Sequence, residues 1–247
     1  MKRQARRNMV RDGHESLGAG GSLQHPIARL ADALAGALDA AAGAQPAAAA
    51  ELGAFAGQLR ELGTQPVSRA PRRPPAVVPA LRHLPAALAA VDVASPPALG
   101  EATCAAVGHA AWSSYYARSA WSAPFVADLA VGQLAGPGAP HACDGLALGL
   151  FLQGPRTNYA PHAHAAAEVY VVVGGQAAFQ SGAHAPFRTA APGSVVLHRS
   201  DQAHAIATGD APLLAVYAWR GDVTAPPWYR RDMAADDEPR RHPPLAD

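Results

Sequence analysis

From about Cys143 onward the chain is built from short apolar-rich runs separated by Gly, Pro, Asn and Asp. The runs fall at 146–153, 168–173, 176–181, 194–198, 204–208 and 213–220, rich in Val, Leu, Ala and aromatics. Short strands with turn residues at this spacing predict a small antiparallel β-barrel or sandwich. Ahead of them the period changes. Ile27, Leu30, Leu34 and Leu38 recur at helical spacing behind Pro26, a residue suited to a first helical turn. Pro46 opens a second such stretch, with Leu52, Phe55, Leu59 and Leu62 on one face and Gly63 expected to end it. Two further helices are expected, at about 80–92 (Leu81, Leu84, Leu88) and about 97–118.

The expected order is therefore a disordered basic tail at 1–21, a helical N-terminal region at 22–118, a β-barrel at 119–230 and a charged tail at 231–247. Within the helical region, residues 64–79 are rich in Pro and Arg and read as an extended strap. The helices are expected to cover the barrel or to form a dimer face. Trp112, Tyr115, Tyr116 and Trp121 are expected to pack at the interface, with a lid over a pocket as the alternative.

Composition narrows the function classes. The 247 residues carry 20 Lys+Arg against 19 Asp+Glu, a net charge of +1, so no basic stripe announces nucleic acid. The basic start is followed by a polar, Gly-rich stretch where a signal peptide would need an apolar one. The Ala-rich stretches carry Asp, Glu and Arg too often to span a bilayer. The expectation is a soluble, cytoplasmic protein with no nucleic-acid or membrane partner. Cys104 and Cys143 are too few for a disulfide framework or a Cys-based zinc site, and neither is given a role.

The chemistry concentrates in residues 158–175. His162, His164, Glu168 and Tyr170 occupy alternate positions, which on one β-strand would aim all four at one face, with Val169, Val171 and Val173 packing behind. Two imidazoles and a carboxylate suit one divalent first-row metal: Zn, Fe, Mn, Co or Ni. A third nitrogen is needed, from His184, His198 or His204. His204 is preferred because Pro192-Gly193, a strand and a second turn would return it to the first pair, with His198 as runner-up.

These residues resemble the cupin motifs. Gly154, His162, His164, Glu168 and Gly175 follow the first motif, with seven residues rather than five between the first Gly and the first His. Pro192-Gly193 leading to His204 is similar to the second. The resemblance extends further, to the cupins that cleave dimethylsulfoniopropionate. It is carried by Tyr159, Pro161, His162, His164, Glu168 and Tyr170, then His204 with Thr208, then the run from Pro212 through Trp219 to Asp222. Gly136-Pro137-Gly138 ahead of residues 144–149 is similar to that family too. The likeness spans about 112–222; the first twenty residues and the strap have no counterpart.

What the resemblance implies is a mainly β protein, a cupin-type antiparallel β-barrel (double-stranded β-helix) with the helical region packed on it. It implies His162, His164, Glu168 and His204 as metal ligands and Tyr170 as the base of a β-elimination releasing dimethyl sulfide and acrylate. A divalent cation beside Tyr170 would favour the phenolate over its ordinary pKa of about 10. Tyr159 and Trp219 are expected to bind the small zwitterionic substrate through cation–π contact with its sulfonium. Trp219 and Arg220 point to opposite faces of a regular strand, and Trp219 is the one expected in the pocket. A homodimer through the helices is compatible with this reading. Three other activities stay open: a cupin oxygenase or isomerase on another small carboxylate, a related lyase, and a non-catalytic metabolite sensor.

Overall fold

A computed structural model of the protein describes residues 24–67, 77–91, 97–229 and 240–241. The tail at 1–21 and most of the strap lie outside these residues, as does the 231–247 tail apart from Arg240 and Arg241. Helix α1 (Pro26–Ala44) starts where the Pro and apolar period place it, with His25 Nδ1 accepting from the Ile27 N–H. A 3₁₀ turn at Pro46–Ala48 leads into α2 (Ala49–Thr64), and the two helices form a hairpin. Leu30, Leu34, Leu38, Leu52, Phe55 and Leu59 are fully buried on the facing sides. Each such burial contributes roughly 1.5–3 kcal/mol. The helix runs one residue past the expected stop at Gly63.

The later helices are shorter than the pattern suggested. Residues 79–83 form a 3₁₀ turn before α3 (Leu84–Ala89). Helix α4 (Pro97–Ala106) ends in another 3₁₀ turn, and the chain becomes strand β1 (Ala111–Ser113) where a helix to 118 was expected. The reason is tertiary. Gly132 on β2 (Leu129–Ala135) leaves no side chain above the sheet, and the Trp112 ring lies where its Cβ would be, 2.9 Å away. Trp112 therefore pairs across from Gly132 instead of continuing the helix.

The remaining strands are β3 (Leu146–Gln153), β4 (Asn158–Ala163), β5 (Ala167–Gly174), β6 (Ala177–Ser181), β7 (Arg188–Ala190), β8 (Val195–His198), β9 (His204–Thr208), β10 (Leu213–Arg220), β11 (Trp228–Tyr229) and β12 (Arg240–Arg241). One antiparallel sheet runs β1-β2-β3-β10-β5-β8 and the other β12-β11-β4-β9-β6-β7. From β3 to β10 the chain winds back and forth between the two sheets. That winding is the double-stranded β-helix of the cupin barrel.

The first sheet is covered on both faces. Val169, Val171 and Val173 turn outward into one apolar core with α1 and α2. Tyr170 and Val172 turn inward to a second core with Phe151, Tyr159, Phe179, Ile206 and Tyr217. Strands covered on both faces read as unbroken apolar runs, which is how β3 and β10 are written. One glycine fixes the turn between β5 and β6. Gly175 has φ +73°, and a Cβ there would sit 2.0 Å from the Pro212 carbonyl oxygen. Gly175→Ala is expected to cost at least about 3 kcal/mol, from the left-handed backbone together with a backbone clash. Thermal unfolding followed by circular dichroism checks this; an unchanged Tm would contradict it.

Candidate metal centre

The four residues expected on one strand face, His162, His164, Glu168 and Tyr170, do not share a strand. His162 lies on β4, in one sheet; Glu168 and Tyr170 lie on β5, in the other. His164 sits on the corner between them. The corner is held from outside by the β8–β9 loop: the Asp201 N–H donates to the His164 carbonyl (2.8 Å) and the Ser200 hydroxyl to the Ala165 carbonyl (2.6 Å). The alternation seen in the sequence thus spans a change of sheet, and convergence comes from the corner folding His162 and Glu168 toward each other. His204, on β9, is the direct cross-strand partner of His162.

His162, His164 and His204 bring their ligating atoms within 4.8 Å of one another, and with Glu168 each is 3% exposed or less. His184 is exposed in the turn after β6 and stands apart. His198 turns inward but is not one of the three that converge.

Each converging ring uses Nδ1 the same way. His162 Nδ1 bonds the Ala160 carbonyl (3.0 Å), His164 Nδ1 the Ala166 carbonyl (2.8 Å) and His204 Nδ1 the Gln202 carbonyl (2.8 Å). A carbonyl can only accept, so each Nδ1 carries the proton and each neutral ring presents the Nε2 lone pair. His164 Nε2 and His204 Nε2 both lie 3.2 Å from Glu168 Oε2, the His204 nitrogen off any hydrogen-bond line and without a partner. Bare lone pairs cannot face a carboxylate in a dry interior, so a proton, as in the His164 Nε2–Glu168 Oε2 hydrogen bond, or a metal cation has to sit among them. Carbonyl-anchored imidazoles with a carboxylate are the donor set of a divalent transition metal, so the residues present fit one.

The electrostatics agree. Burial lowers the proton affinity of His162, reinforced by His204 and His164, and it stays neutral. Burial opposes the charge of Glu168, but the His164 and His204 rings facing it prevail and hold the carboxyl well below its usual range. Burial raises the Tyr170 phenol well above 10, helped by the Glu168 charge nearby.

Tyr170 turns to the same interior, within electrostatic reach of Glu168. Trp219 turns inward as expected, but its indole N–H donates to Glu168 Oε1 (2.5 Å) and its ring stacks on His164 at 4.1 Å. It holds two of the proposed ligands in place, whatever else it touches. Tyr159 stacks on His162 at 4.0 Å, and its hydroxyl meets that of Tyr116 at 2.5 Å. Tyr116 and Trp121 pack edge to face with Phe125, and Tyr115, at φ +61°, reaches toward Trp219. Of the cluster expected at the interface, Tyr115, Tyr116 and Trp121 therefore wall the site itself, while Trp112 packs on the helix-covered face of the sheet. Tyr116 and Phe151, which stacks on Tyr159, were not singled out from the sequence as site residues. Only the density of aromatics at 112–121 hinted at the first.

Trp219→Phe keeps the stacked ring and removes the donor to Glu168. Loss of such a supporting bond is expected to weaken zinc binding about 10–100-fold. Competition against a chromophoric chelator measures it, and wild-type affinity would refute the role.

The model of the dimethylsulfoniopropionate lyase family matches residues 54–215, well over half of the chain. Dimethylsulfoniopropionate lyase DddQ of Ruegeria pomeroyi is 36% identical over 130 residues, which are 53% of this chain and 64% of that protein. The match therefore spans just under two thirds of that relative's length. The crystal structure of DddQ from the same organism superposes with a TM-score of 0.55 at 28% identity, covering 78% of this chain and 95% of that one. A second solved chain, from crystal structures of the lyases RdDddP and RnDddQII, gives 0.58 at 26% identity, covering 83% and 100%. Among the described residues no helix is long and apolar enough to cross a membrane.

Proposed function

The chain belongs to the dimethylsulfoniopropionate lyase family, and from that premise we propose that it is a metal-dependent carbon–sulfur lyase cleaving this osmolyte to dimethyl sulfide and acrylate. The observation that carries the reading is the set of three converging, carbonyl-anchored imidazoles, two of them 3.2 Å from the Glu168 carboxylate, with Tyr170 buried within electrostatic reach of that carboxylate. His162, His164, Glu168 and His204 would hold one divalent transition metal. Bound there, it would supply positive charge that favours the Tyr170 phenolate and stabilises charge developing on the substrate carboxylate.

The remaining work falls to the chain's own residues. The Tyr170 phenolate oxygen takes the proton from the carbon next to the substrate carboxylate. The C–H electron pair becomes the new carbon–carbon double bond, the C–S bond breaks, and sulfur leaves with its pair as neutral dimethyl sulfide. A buried phenol without a neighbouring cation is a poor base, and its raised proton affinity here is what a cation in the site would offset. The substrate sulfonium is weakly hydrated and suits π faces, which Tyr159, Tyr217 and Trp219 provide around the site. Trp219 and Glu168 are cross-strand neighbours, so one strand pair sets both the proposed ligand and part of that wall. The protein then works on a small zwitterion, and neither nucleic acid nor membrane enters the reading.

Proton NMR of acrylate, together with an oxygen electrode, distinguishes this reaction from oxygenation. Metal-loaded protein is expected to form acrylate with no oxygen consumed. Oxygen uptake without acrylate would move the assignment to a cupin oxygenase.

A further inference from the structure

His198 is the unexplained residue of the barrel interior. It is the cross-strand partner of Glu168, so its side chain projects to the same inner face. The ring is fully buried and lies flat against His204, 4.1 Å away at 10°, with Tyr170 and Phe179 at 6.0 and 6.4 Å. Neither ring nitrogen has a hydrogen-bond partner. A neutral imidazole must carry a proton on one nitrogen, and a buried donor left unmade is costly.

The proposed substrate brings a complementary need. Its carboxylate has to be held inside the barrel, yet no Arg or Lys is buried among the described residues. Several other polar groups of the interior are already engaged: Tyr116 and Tyr159 bond each other, and the Gln153 amide donates to the Thr157 and Ile206 carbonyls. His162, His164 and His204 spend their N–H groups on backbone carbonyls.

We propose that His198 is the carboxylate anchor of the site, its unpartnered ring N–H binding one oxygen of a small aliphatic carboxylate beside Tyr170. The inference rests on the lyase reading only for the identity of that carboxylate. The stack on His204 fixes the ring plane, with Phe179 6.4 Å away, so the donor is positioned before any ligand arrives.

The test uses propionate, which has the carboxylate but no leaving group, titrated calorimetrically into zinc-loaded protein. His198→Phe keeps the flat ring against His204 and deletes the donor; His198→Gln restores a donor without the ring. His198→Phe is expected to weaken propionate binding about 10–100-fold, the scale of one hydrogen bond to a charged group, with zinc affinity unchanged. His198→Gln is expected to recover part of the loss. If His198→Phe binds propionate like the wild type, the ring is only a plate under His204 and the anchor is refuted. Wild-type protein that binds no propionate refutes it as well. The lyase reading is judged separately, by dimethyl sulfide release from the wild type. Release with an unchanged propionate affinity in His198→Phe would sink the anchor alone. No release, with that affinity lost, would sink the lyase and leave the anchor standing.

Discussion

His204→Ala is expected to abolish stoichiometric zinc binding and to lower dimethyl sulfide release by about 10³-fold or more, equivalent to ~4 kcal/mol of lost stabilisation. His204 does three things in the structure. It is cross-strand to His162, it faces Glu168 Oε2 at 3.2 Å, and its Nε2 is a buried lone pair with no other partner. No nearby ring can replace it without moving, since His198 lies parallel to it and His184 is exposed. Metal analysis of dialysed protein alongside headspace gas chromatography reads both effects. Because His204 occupies the mouth end of a sheet strand, circular dichroism should report an intact barrel. A variant that kept both its metal and its activity would remove His204 from the ligand set.

Tyr170→Phe separates the base from the metal. The substitution conserves the ring that packs against Phe151 and Phe179 and removes only the hydroxyl. A positioned general base contributes about 10²–10⁴-fold, so kcat should fall on that scale while zinc affinity and KM change little. Glu168 keeps the Trp219 donor, which is why the ligand set is expected to hold. If kcat survived, the fold and the metal centre would stand and a different group would have to take the proton.

The barrel was readable because its strands are short, separated by turn residues and, in β3, β9 and β10, bounded where the pattern broke. The inward and outward faces of β5 were readable for the same reason: Val169, Val171 and Val173 do pack outward against the helices. What the pattern could not give was the corner at 164–166. A run of alanines after His164 carries no period, and the turn is imposed by hydrogen bonds from Ser200 and Asp201, some 35 residues downstream. His162 and His164 come together and His164 faces Glu168, but not through the single strand that the alternation implied. Strand β1 was hidden likewise, because Trp112 is decided by the space above Gly132. The bond from Trp219 to Glu168 joins strands that pair at long range, and a one-dimensional pattern suggests only that the indole turns inward.

The most direct test of a metal-held elimination with Tyr170 as base is headspace dimethyl sulfide release by wild type and Tyr170→Phe at equal metal occupancy. The account predicts release by the wild type, abolished by chelation and restored by a divalent transition metal, and at least a hundredfold slower release by Tyr170→Phe with its metal still bound. Equal rates from the two proteins, or release that survives complete removal of the metal, would contradict it.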